Sequence, residues 1–340
     1  LLPLVVLKPG IMRRGLIVLV MFAAGLLSIQ AGDGVYRFLT LPVSSTAAGL
    51  GGTVLSSPEN DLNLSLHNPA ALSQEMHNQL ALGYMNYLAD IHLGTAAYAR
   101  KINERSSWMA ALRYVDYGRL ISAGDNLPGA DFFAKDMAMS GAYAFMLAPR
   151  WRAGANMHLV YSVLDQYTSL GMAIDLGIQY ANPEQKIWAG FAVKNLGSQF
   201  KPYDESYEAL PWDVQFGITK GLLHAPFRFT LTAWGFNAWS YPYVDGSSGL
   251  AINDDNLLEK VFKHLLIGLE FVPGDNFQLS LGYNVRRKSE LSLDQRTILT
   301  GFTAGFSMSV RKLRIGASFA QYHIAGNSLQ MTLSTDLDIF

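Results

Sequence analysis

The sequence predicts an all-β membrane protein: a transmembrane barrel of about fourteen antiparallel strands preceded by an N-terminal hatch or plug segment. From residue 80 to residue 340 the chain repeats a unit of about ten residues in which apolar side chains alternate with small or polar ones. Each unit ends in a turn. Mean hydropathy is only +0.14 although 50% of the residues are hydrophobic, because alternation dilutes the apolar signal. These observations favour a chain that crosses a membrane with strands.

The segment 170–180 shows the two faces of one predicted strand. Successive side chains of a strand point to opposite faces of the sheet, so residues two apart share a face. One face fits lipid and holds Leu170, Met172, Ile174, Leu176, Ile178 and Tyr180. The opposite face fits a lumen and holds Gly171, Ala173, Asp175, Gly177 and Gln179. A soluble β-sandwich also alternates, so this pattern alone does not decide between the two folds.

The lengths of the connections favour the barrel. Every second connection is tight, and these would be the periplasmic turns: 103–105, 148–150, 182–185, 224–225, 273–276 and 311–312. The intervening connections include long ones, at 120–131, 199–210, 240–262 and 287–297. Short turns on one rim and long loops on the other are typical of outer-membrane barrels. The predicted barrel therefore spans residues 79–340, with its long loops extracellular.

The N-terminal residues 1–31 are predicted to be an export signal. Met12, Arg13 and Arg14 form a positive region, residues 15–27 are apolar, and Ala31 ends a plausible cleavage site. About 13 apolar residues fall short of the roughly 17–25 that a membrane-spanning helix needs. We therefore take Met12 as the expected start codon. Removal of this signal would make the chain more acidic than its formal net charge of −1.

Residues 32–78 depart from the alternating pattern and are predicted to fill the lumen. The run 47–52 contains Gly49, Gly51 and Gly52, which is too rich in glycine for a stable helix interior or a regular strand. Asn68-Pro69-Ala70 imposes a bend. A segment this short cannot form its own core, whereas the many glycines on the predicted inner face leave room for it. Small lumen residues could instead reflect strand curvature alone.

In these residues the chain resembles FadL-type outer-membrane proteins, and among them the PorV/PorQ family of the Bacteroidetes type IX secretion system. The stretches that carry the resemblance are 35–39, 41–42, 47–52, 68–72, 76–80 and 86–90. The resemblance implies a non-enzymatic barrel of the attachment complex. It would hold a PorZ-like surface protein, with PorV and the sortase-like PorU in one complex, during attachment of cargo to lipopolysaccharide. The alternative is a FadL-like transporter of fatty acids or other hydrophobic small molecules.

Two groups of side chains are candidates for functional contacts. Charged residues of both signs point to the lumen by register, whereas an ion-selectivity ring would consist of charges of one sign. We therefore expect these side chains to form hydrogen bonds and ion pairs with the plug. They are Arg113, Asp175, Lys194, Glu270 and Arg314. Aromatic residues in the long loops suit protein contacts, and the alternative is ordinary interfacial anchoring. The candidate partner-binding residues are Tyr203, Tyr207, Tyr241 and Tyr243.

Other kinds of chemistry lack support in the sequence. The seven histidines show no metal-ligand spacing, and there is no cysteine, so we expect no metal and no cofactor. Ser309 to Lys312 matches a Ser-x-x-Lys pattern, but the match crosses a predicted tight turn. A barrel phospholipase would need a serine and a histidine on the lipid-facing surface; His323 could face outward, but the sequence places no serine near it, so we expect no enzyme activity. The small net charge gives no reason to expect nucleic acid as a partner. Outer-membrane lipid is the expected surroundings.

Overall fold

A computed structural model of the chain describes residues 34–88, 90–121, 131–237, 243–244, 251–252, 257–287, 300–323 and 326–337. Fourteen strands within these ranges form one closed antiparallel barrel, so the predicted fold class is confirmed. The predicted export signal lies outside the described residues. Among the described residues, no helix has the length and apolar character needed to cross a membrane.

The strands follow the alternating repeat along the chain. Their bounds are β1 (Gln79–Asn86), β2 (His92–Asn103), β3 (Ser106–Ile121), β4 (Asp131–Ala148), β5 (Trp151–Leu164), β6 (Tyr167–Asn182), β7 (Ile187–Lys201), β8 (Asp213–Gly221), β9 (Phe227–Ala233), β10 (Tyr243–Val244), β11 (Ala251–Ile252), β12 (Leu265–Gly274), β13 (Phe277–Asn284), β14 (Phe302–Val310), β15 (Leu313–His323) and β16 (Gly326–Asp336). A short helix, here called α2 (Leu257–Lys263), precedes β12. Closure of the sheet pairs each of the fourteen barrel strands on both sides, which is what hydrocarbon surroundings require of a backbone.

Neighbouring strands in the barrel are neighbours in sequence, with one interruption. β1 pairs with both β2 and β16, which closes the ring. β9 pairs directly with β12, while β10 and β11 form a separate two-stranded hairpin between them. The barrel is therefore an up-and-down meander, and its β9 to β12 connection carries two additional strands and a helix.

The connections define two rims. The turn rim carries the short connections 104–105, 149–150, 183–186, 222–226, 275–276 and 311–312. β1 begins at this rim, and β16 ends there. The opposite edge, the loop rim, carries longer connections such as 202–212 and 285–301. Two connections on the loop rim, 165–166 and 324–325, are as short as those on the turn rim. The connections of the loop rim are therefore longer than those of the turn rim on average, but not in every case.

The two faces of the wall differ as the alternation requires. In β8, Phe216 and Ile218 are exposed on the outer face, whereas Gly217 and Thr219 are buried on the inner face. In β6, Leu176 and Ile178 are exposed and Asp175 is buried. Apolar side chains therefore surround the barrel, while polar and small side chains line the lumen.

Residues 34–78, here called the hatch, lie inside the lumen. The helix α1 (Ser45–Gly49) packs against β14 and β15. The rest of the hatch contains four short 3-10 turns, at Arg37–Thr40, Leu62–Leu66, Pro69–Ala71 and Gln74–Met76. Phe38, Leu62 and Leu72 are fully buried, and full burial of such side chains stabilises by about 1.5–3 kcal/mol each. These side chains form one apolar core with inward-facing wall residues such as Met85 and Met109.

The expectation that the run 47–52 avoids a helix is wrong for its first residues. The Ser44 side chain accepts hydrogen bonds from the backbone N–H groups of Thr46 and Ala47, at 3.1 and 3.3 Å, and so caps α1. The helix ends where the glycines begin to take positive φ angles, +105° at Gly51 and +126° at Gly52. A capped helix of one turn thus precedes the glycine bend.

The hatch connects the two rims. At the loop rim the Val35 backbone N–H donates to the Ala209 carbonyl at 3.0 Å. Leu55 then packs against Gly190 on β7, where an added Cβ would stand 2.2 Å from the Leu55 carbonyl oxygen. The chain finally enters β1 at the turn rim. The glycine at position 190 is needed because the hatch backbone lies directly against the wall.

Replacement of this glycine should therefore displace the hatch. We expect Gly190→Val to lower the free energy of unfolding by about 1–3 kcal/mol, the usual effect of overpacking, and to admit protease near Leu55. Gly94→Val is the matched control, because a Cβ at Gly94 would meet nothing within 4 Å. Limited proteolysis with peptide mapping measures the difference. Equal protection of the hatch in both variants would contradict the contact.

Candidate functional site

Cations of the barrel wall bind carbonyl groups of the hatch. Short 3-10 turns leave many backbone carbonyls without an internal partner, and a buried carbonyl needs one. Three inward-facing side chains on three different strands supply these partners. The contacts run from Arg113 to the Phe38 oxygen (3.1 Å), from Lys194 to the Leu66 oxygen (2.6 Å), and from Arg152 to the Ala70 and Ala71 oxygens (3.2 and 3.0 Å).

Asp175 is the centre of the first charged cluster in the lumen. Its carboxylate is fully buried and accepts from the Lys194 ammonium at 2.5 Å and from the Asn195 backbone N–H at 2.7 Å. The His158 Nε2 lies 2.9 Å from the same carboxylate, and the Ser140 hydroxyl lies 2.7 Å from His158 Nδ1. The charge of Asp175 is thereby compensated on several sides, as a buried charge requires.

The order of serine, histidine and aspartate in this cluster also occurs in hydrolases. In this lumen, however, the Asp175 carboxylate is shared with Lys194, and His158 is only 2% exposed. Lys194 also binds the hatch carbonyl of Leu66. The same residues that could polarise a serine are therefore used to compensate buried charge and to hold the hatch.

Glu59 of the hatch is the centre of the second charged cluster, close to the turn rim. Its carboxylate accepts from Arg228 at 2.6 Å and from Arg314 at 2.7 Å. Arg228 also pairs with Glu270 at 3.3 Å, and Glu270 accepts a hydrogen bond from Gln278. Burial alone would raise the pKa of Glu59, but the guanidinium groups of Arg314 and Arg228 outweigh it and lower the pKa.

His67 is a buried acceptor within the hatch. Its Nε2 lies 3.3 Å from the Val43 backbone N–H, which donates to it. Burial lowers the pKa of His67 to about 3, and the charges of Lys194 and Arg113 act in the same direction. The imidazole is therefore neutral at physiological pH, as it must be to accept a hydrogen bond.

The glycine bend of the hatch contacts the wall through its backbone. The Gly49 carbonyl accepts from the Thr303 hydroxyl at 2.8 Å, and the Gly51 carbonyl accepts from the Asn284 amide at 3.2 Å. Gly52 lies next to Arg287. These predicted hatch residues therefore act by exposing their carbonyls to donors of β13 and β14.

The Asn68-Pro69-Ala70 bend is fixed by the asparagine side chain. The Asn68 Oδ1 accepts from the Ala70 backbone N–H at 3.0 Å, and its amide donates to the Leu55 carbonyl at 2.9 Å and to the Ile178 carbonyl at 3.4 Å. Pro69 starts the following 3-10 turn, where it needs no N–H donor. One side chain thus links two hatch segments to β6.

The connection 202–212, here called the rim loop, is held at the mouth of the barrel. The Tyr203 hydroxyl hydrogen-bonds to Ser162, and burial raises the pKa of Tyr203 to about 12. The Glu208 backbone N–H donates to the Gln199 side chain at 2.7 Å. Tyr207, in contrast, is 65% exposed. Tyr203 therefore fixes the loop, and Tyr207 is presented by it.

The other two candidate tyrosines cannot be placed beside this loop. Tyr241 lies outside the described residues, and for Tyr243 the structure describes only the backbone, which pairs with Ile252. Of the five lumen charges, Asp175 and Lys194 lie in the first cluster, Glu270 and Arg314 in the second, and Arg113 holds Phe38 separately.

Sequence reasoning missed several residues that belong to the two clusters or that bind hatch carbonyls. Glu59, Arg152, Arg228 and His158 were not selected, although Arg152 and His158 share an inward register on β5. Extending the inward register to the ends of each strand would have identified the wall residues of this group. Nothing in the hatch sequence distinguishes Glu59 from an ordinary surface glutamate. Across the described residues no group of three or more histidine, aspartate or glutamate side chains could hold a metal ion.

No protein-family model and no curated protein matches the sequence. Solved structures match in fold at 12% sequence identity. The toluene transporter TbuX of Ralstonia pickettii aligns over 87% of this chain and 98% of its own, with a TM-score of 0.52. The CymD monoaromatic hydrocarbon channel (87% and 96%, TM-score 0.54) and the toluene transporter TodX of Pseudomonas putida (86% and 96%, TM-score 0.52) also align.

The chain has the fold of an outer-membrane β-barrel. Identity this low establishes the fold alone, and the fold agrees with the FadL-like architecture that the resemblance implied. What the neighbours transport does not transfer to this chain with their fold.

The Glu59 cluster should hold the hatch near the turn rim. Glu59→Gln removes the charge between Arg228 and Arg314, and breaking a largely buried ion pair typically costs about 3 kcal/mol. Hydrogen exchange of the hatch amides should accelerate. Glu184→Gln is the matched control, because the Arg150 to Glu184 pair is exposed and such pairs contribute about 0–1 kcal/mol. Unchanged exchange in Glu59→Gln would exclude an anchoring role.

The neutral state of His67 should make the hatch sensitive to acid. Between pH 6.5 and about 3 the unfolded imidazole binds a proton that the folded one excludes, so stability falls as the pH falls. We expect a loss of roughly 1.4 kcal/mol per pH unit in this range. His67→Gln keeps an acceptor for Val43 but does not titrate. Its unfolding free energy should depend less steeply on pH, and an identical slope would contradict the assignment.

Proposed function

We propose that this chain is a plugged outer-membrane barrel that serves as a surface platform for a partner protein, and not as a passage. The observation that carries the proposal is the anchoring of the hatch at both rims and along the lumen between them. A general diffusion pore would need this space to be open. The proposed location is the bacterial outer membrane, with the loop rim facing outward.

The contacts of the hatch support a fixed plug. Phe38 and Leu66 are held by Arg113 and Lys194 from the middle of β3 and β7, and Glu59 is held near the turn rim by Arg228 and Arg314. Each contact joins a buried or nearly buried charge to a partner, and breaking such a contact leaves an unpaired charge. Movement of the hatch would require several of these contacts to break together.

The rim loop supports the platform role. The Val35 N–H of the hatch donates to the Ala209 carbonyl of the rim loop, and the Asn195 side chain of the wall donates to the Pro211 carbonyl of the same loop at 3.1 Å. The loop is therefore fixed by both hatch and wall, while Tyr207 and the neighbouring acidic side chains remain exposed. Rigid, exposed tyrosines are efficient contact residues, because little conformational entropy is lost on binding.

The resemblance to the PorV/PorQ family gives the platform its specific assignment. We propose a non-enzymatic, PorQ-type role in the attachment complex of the type IX secretion system. The surface partner would be PorZ-like, with PorV and PorU in the same complex, during attachment of cargo to lipopolysaccharide. The five predicted lumen charges are engaged with the hatch or with other wall residues, which agrees with a structural rather than a catalytic use of the lumen.

Affinity purification from gently solubilised native membranes tests this function. The tagged wild-type chain should recover a PorZ-like or PorV-like protein in stoichiometric amount. Tyr207→Ala should lower the recovery about tenfold or more, since an interface tyrosine can contribute about 2 kcal/mol. Tyr167→Ala is the matched control, because Tyr167 is another exposed tyrosine at the loop rim, at the start of β6. Recovery of the barrel alone, with normal cargo attachment after deletion, would refute the proposal.

A second candidate function is transport of fatty acids or other hydrophobic small molecules. The observation in its favour is the fold similarity to structures described as toluene transporters and a monoaromatic hydrocarbon channel. This function requires an apolar ligand in the lumen that is lost when the hatch is altered. Mass spectrometry of extracts from the purified barrel, compared with Gly190→Val, distinguishes the two functions.

A further inference from the structure

The outer wall of the barrel contains a recess of about 530 Å³ on strands β3, β4 and β5. Its floor is formed where Ala110 and Gly141 are paired across β3 and β4. Both residues are on the exposed outer face, and a Cβ at Gly141 would meet nothing within 4 Å. The recess is widely open on the outer surface of the barrel.

Larger side chains surround this floor. Trp108 and Tyr143 are paired on the side of the turn rim. Met157 is paired with Gly141 and with Ile174, and closes the recess laterally. All four are exposed on the outer face. The lining is thus apolar, open to the surroundings of the barrel, and bounded by two aromatic rings of the kind that lie at a membrane interface.

Two arginines lie next to these rings, one beside Trp108 and one nearer the turn rim. Arg100 is paired with Trp108 across β2 and β3, is exposed on the outer face, and makes no ion pair or side-chain hydrogen bond within the described part of the chain. The Arg105 guanidinium lies over the ring of Phe145, 5.4 Å from its centroid. Phe145 is two positions along β4 from Tyr143. One cation therefore lies beside Trp108 on β2, and the other, which also donates to the Met146 carbonyl at 3.4 Å, lies between Tyr143 and the turn rim.

The vertical order of these groups matches the order of groups in a phospholipid. Arg105 lies nearest the turn rim, Arg100 is level with the aromatic pair, and the apolar floor follows two residues further along the strands, a distance of about 7 Å. Guanidinium groups bind phosphate oxygens through paired N–H donors. Hydrocarbon fills an apolar recess that faces the interior of a bilayer.

We propose that this recess binds one anionic phospholipid from the leaflet at the turn rim. An acyl chain occupies the floor over Ala110 and Gly141, and the phosphate contacts Arg100 and Arg105. The unpaired guanidinium of Arg100 supplies the charge complementarity that selects an anionic lipid. This site is separate from the hatch and from the rim loop, so it does not depend on the proposed partner.

Native mass spectrometry of the delipidated full chain tests the site. Phosphatidylglycerol and phosphatidylcholine with identical acyl chains are titrated separately. The wild type should bind one phosphatidylglycerol about tenfold more tightly than phosphatidylcholine. Arg100→Gln combined with Arg105→Gln should remove that preference, whereas Gly141→Leu, which fills the floor, should weaken binding of both lipids about tenfold.

Two control variants separate the site from general lipid contact. Gly94→Leu adds the same side chain at another open position of the wall, and Lys220→Gln removes an exposed cation elsewhere near the turn rim. Both should bind phosphatidylglycerol like the wild type. Equal affinity of the wild type for the two lipids, or unchanged binding in Gly141→Leu, would overturn the proposal.

A second measurement covers the case in which Gly141→Leu does not fold. Phosphatidylglycerol with brominated acyl chains should quench the tryptophan fluorescence of the wild type more strongly than that of Trp108→Phe. A photo-crosslinking residue at position 141 should label lipid in native membranes. Equal quenching in the two proteins, or crosslinking of position 141 to a protein instead of lipid, would overturn the assignment.

Discussion

Binding of hatch carbonyls by cations of the wall is the interaction on which the rest of the structure depends. A segment without long helices or strands cannot satisfy its own backbone, and a closed lumen leaves few other partners. Arg113, Lys194 and Arg152 meet this need from three strands. Each cation is buried or nearly so, and a buried charge requires a hydrogen-bond partner. The hatch carbonyls supply that partner, just as the cations supply donors to the carbonyls. Barrel and hatch thus form one hydrogen-bonded unit.

The acidic residues follow from the same constraint. Inward-facing cations repel one another in a region of low polarity, and Asp175 and Glu59 compensate them at two heights of the lumen. One of these carboxylates belongs to the wall and the other to the hatch. The charges therefore determine the position of the hatch along the barrel axis as well as its attachment. The hydrogen bond from the Val35 N–H to the Ala209 carbonyl joins the hatch to the rim loop, so the filling of the lumen is linked to the outer surface.

Much of the fold was predictable because its determinants are local. A period of two residues distinguishes the outer face from the lumen within a single strand, as in 170–180, and the five charges that register assigned to the lumen make the contacts described above. The helix α1 was missed because its stability depends on the Ser44 cap and on packing against β14 and β15, which composition does not reveal. The role of Glu59 was missed because both of its partners are more than 150 residues away in sequence.

The sequence by itself determined the class of the protein: strands that alternate with period two, connections that differ between the rims, and a glycine-containing segment that cannot fold alone. Only the tertiary structure decided how the lumen is filled, which cation binds which carbonyl, and that Tyr203 fixes the rim loop while Tyr207 remains exposed. It also revealed the recess over Gly141, which needs three strands in register. The physical reason is that alternation depends on residues that are neighbours along the chain. The contacts between hatch and wall join residues that are far apart in sequence, and they form only when the barrel closes around the hatch.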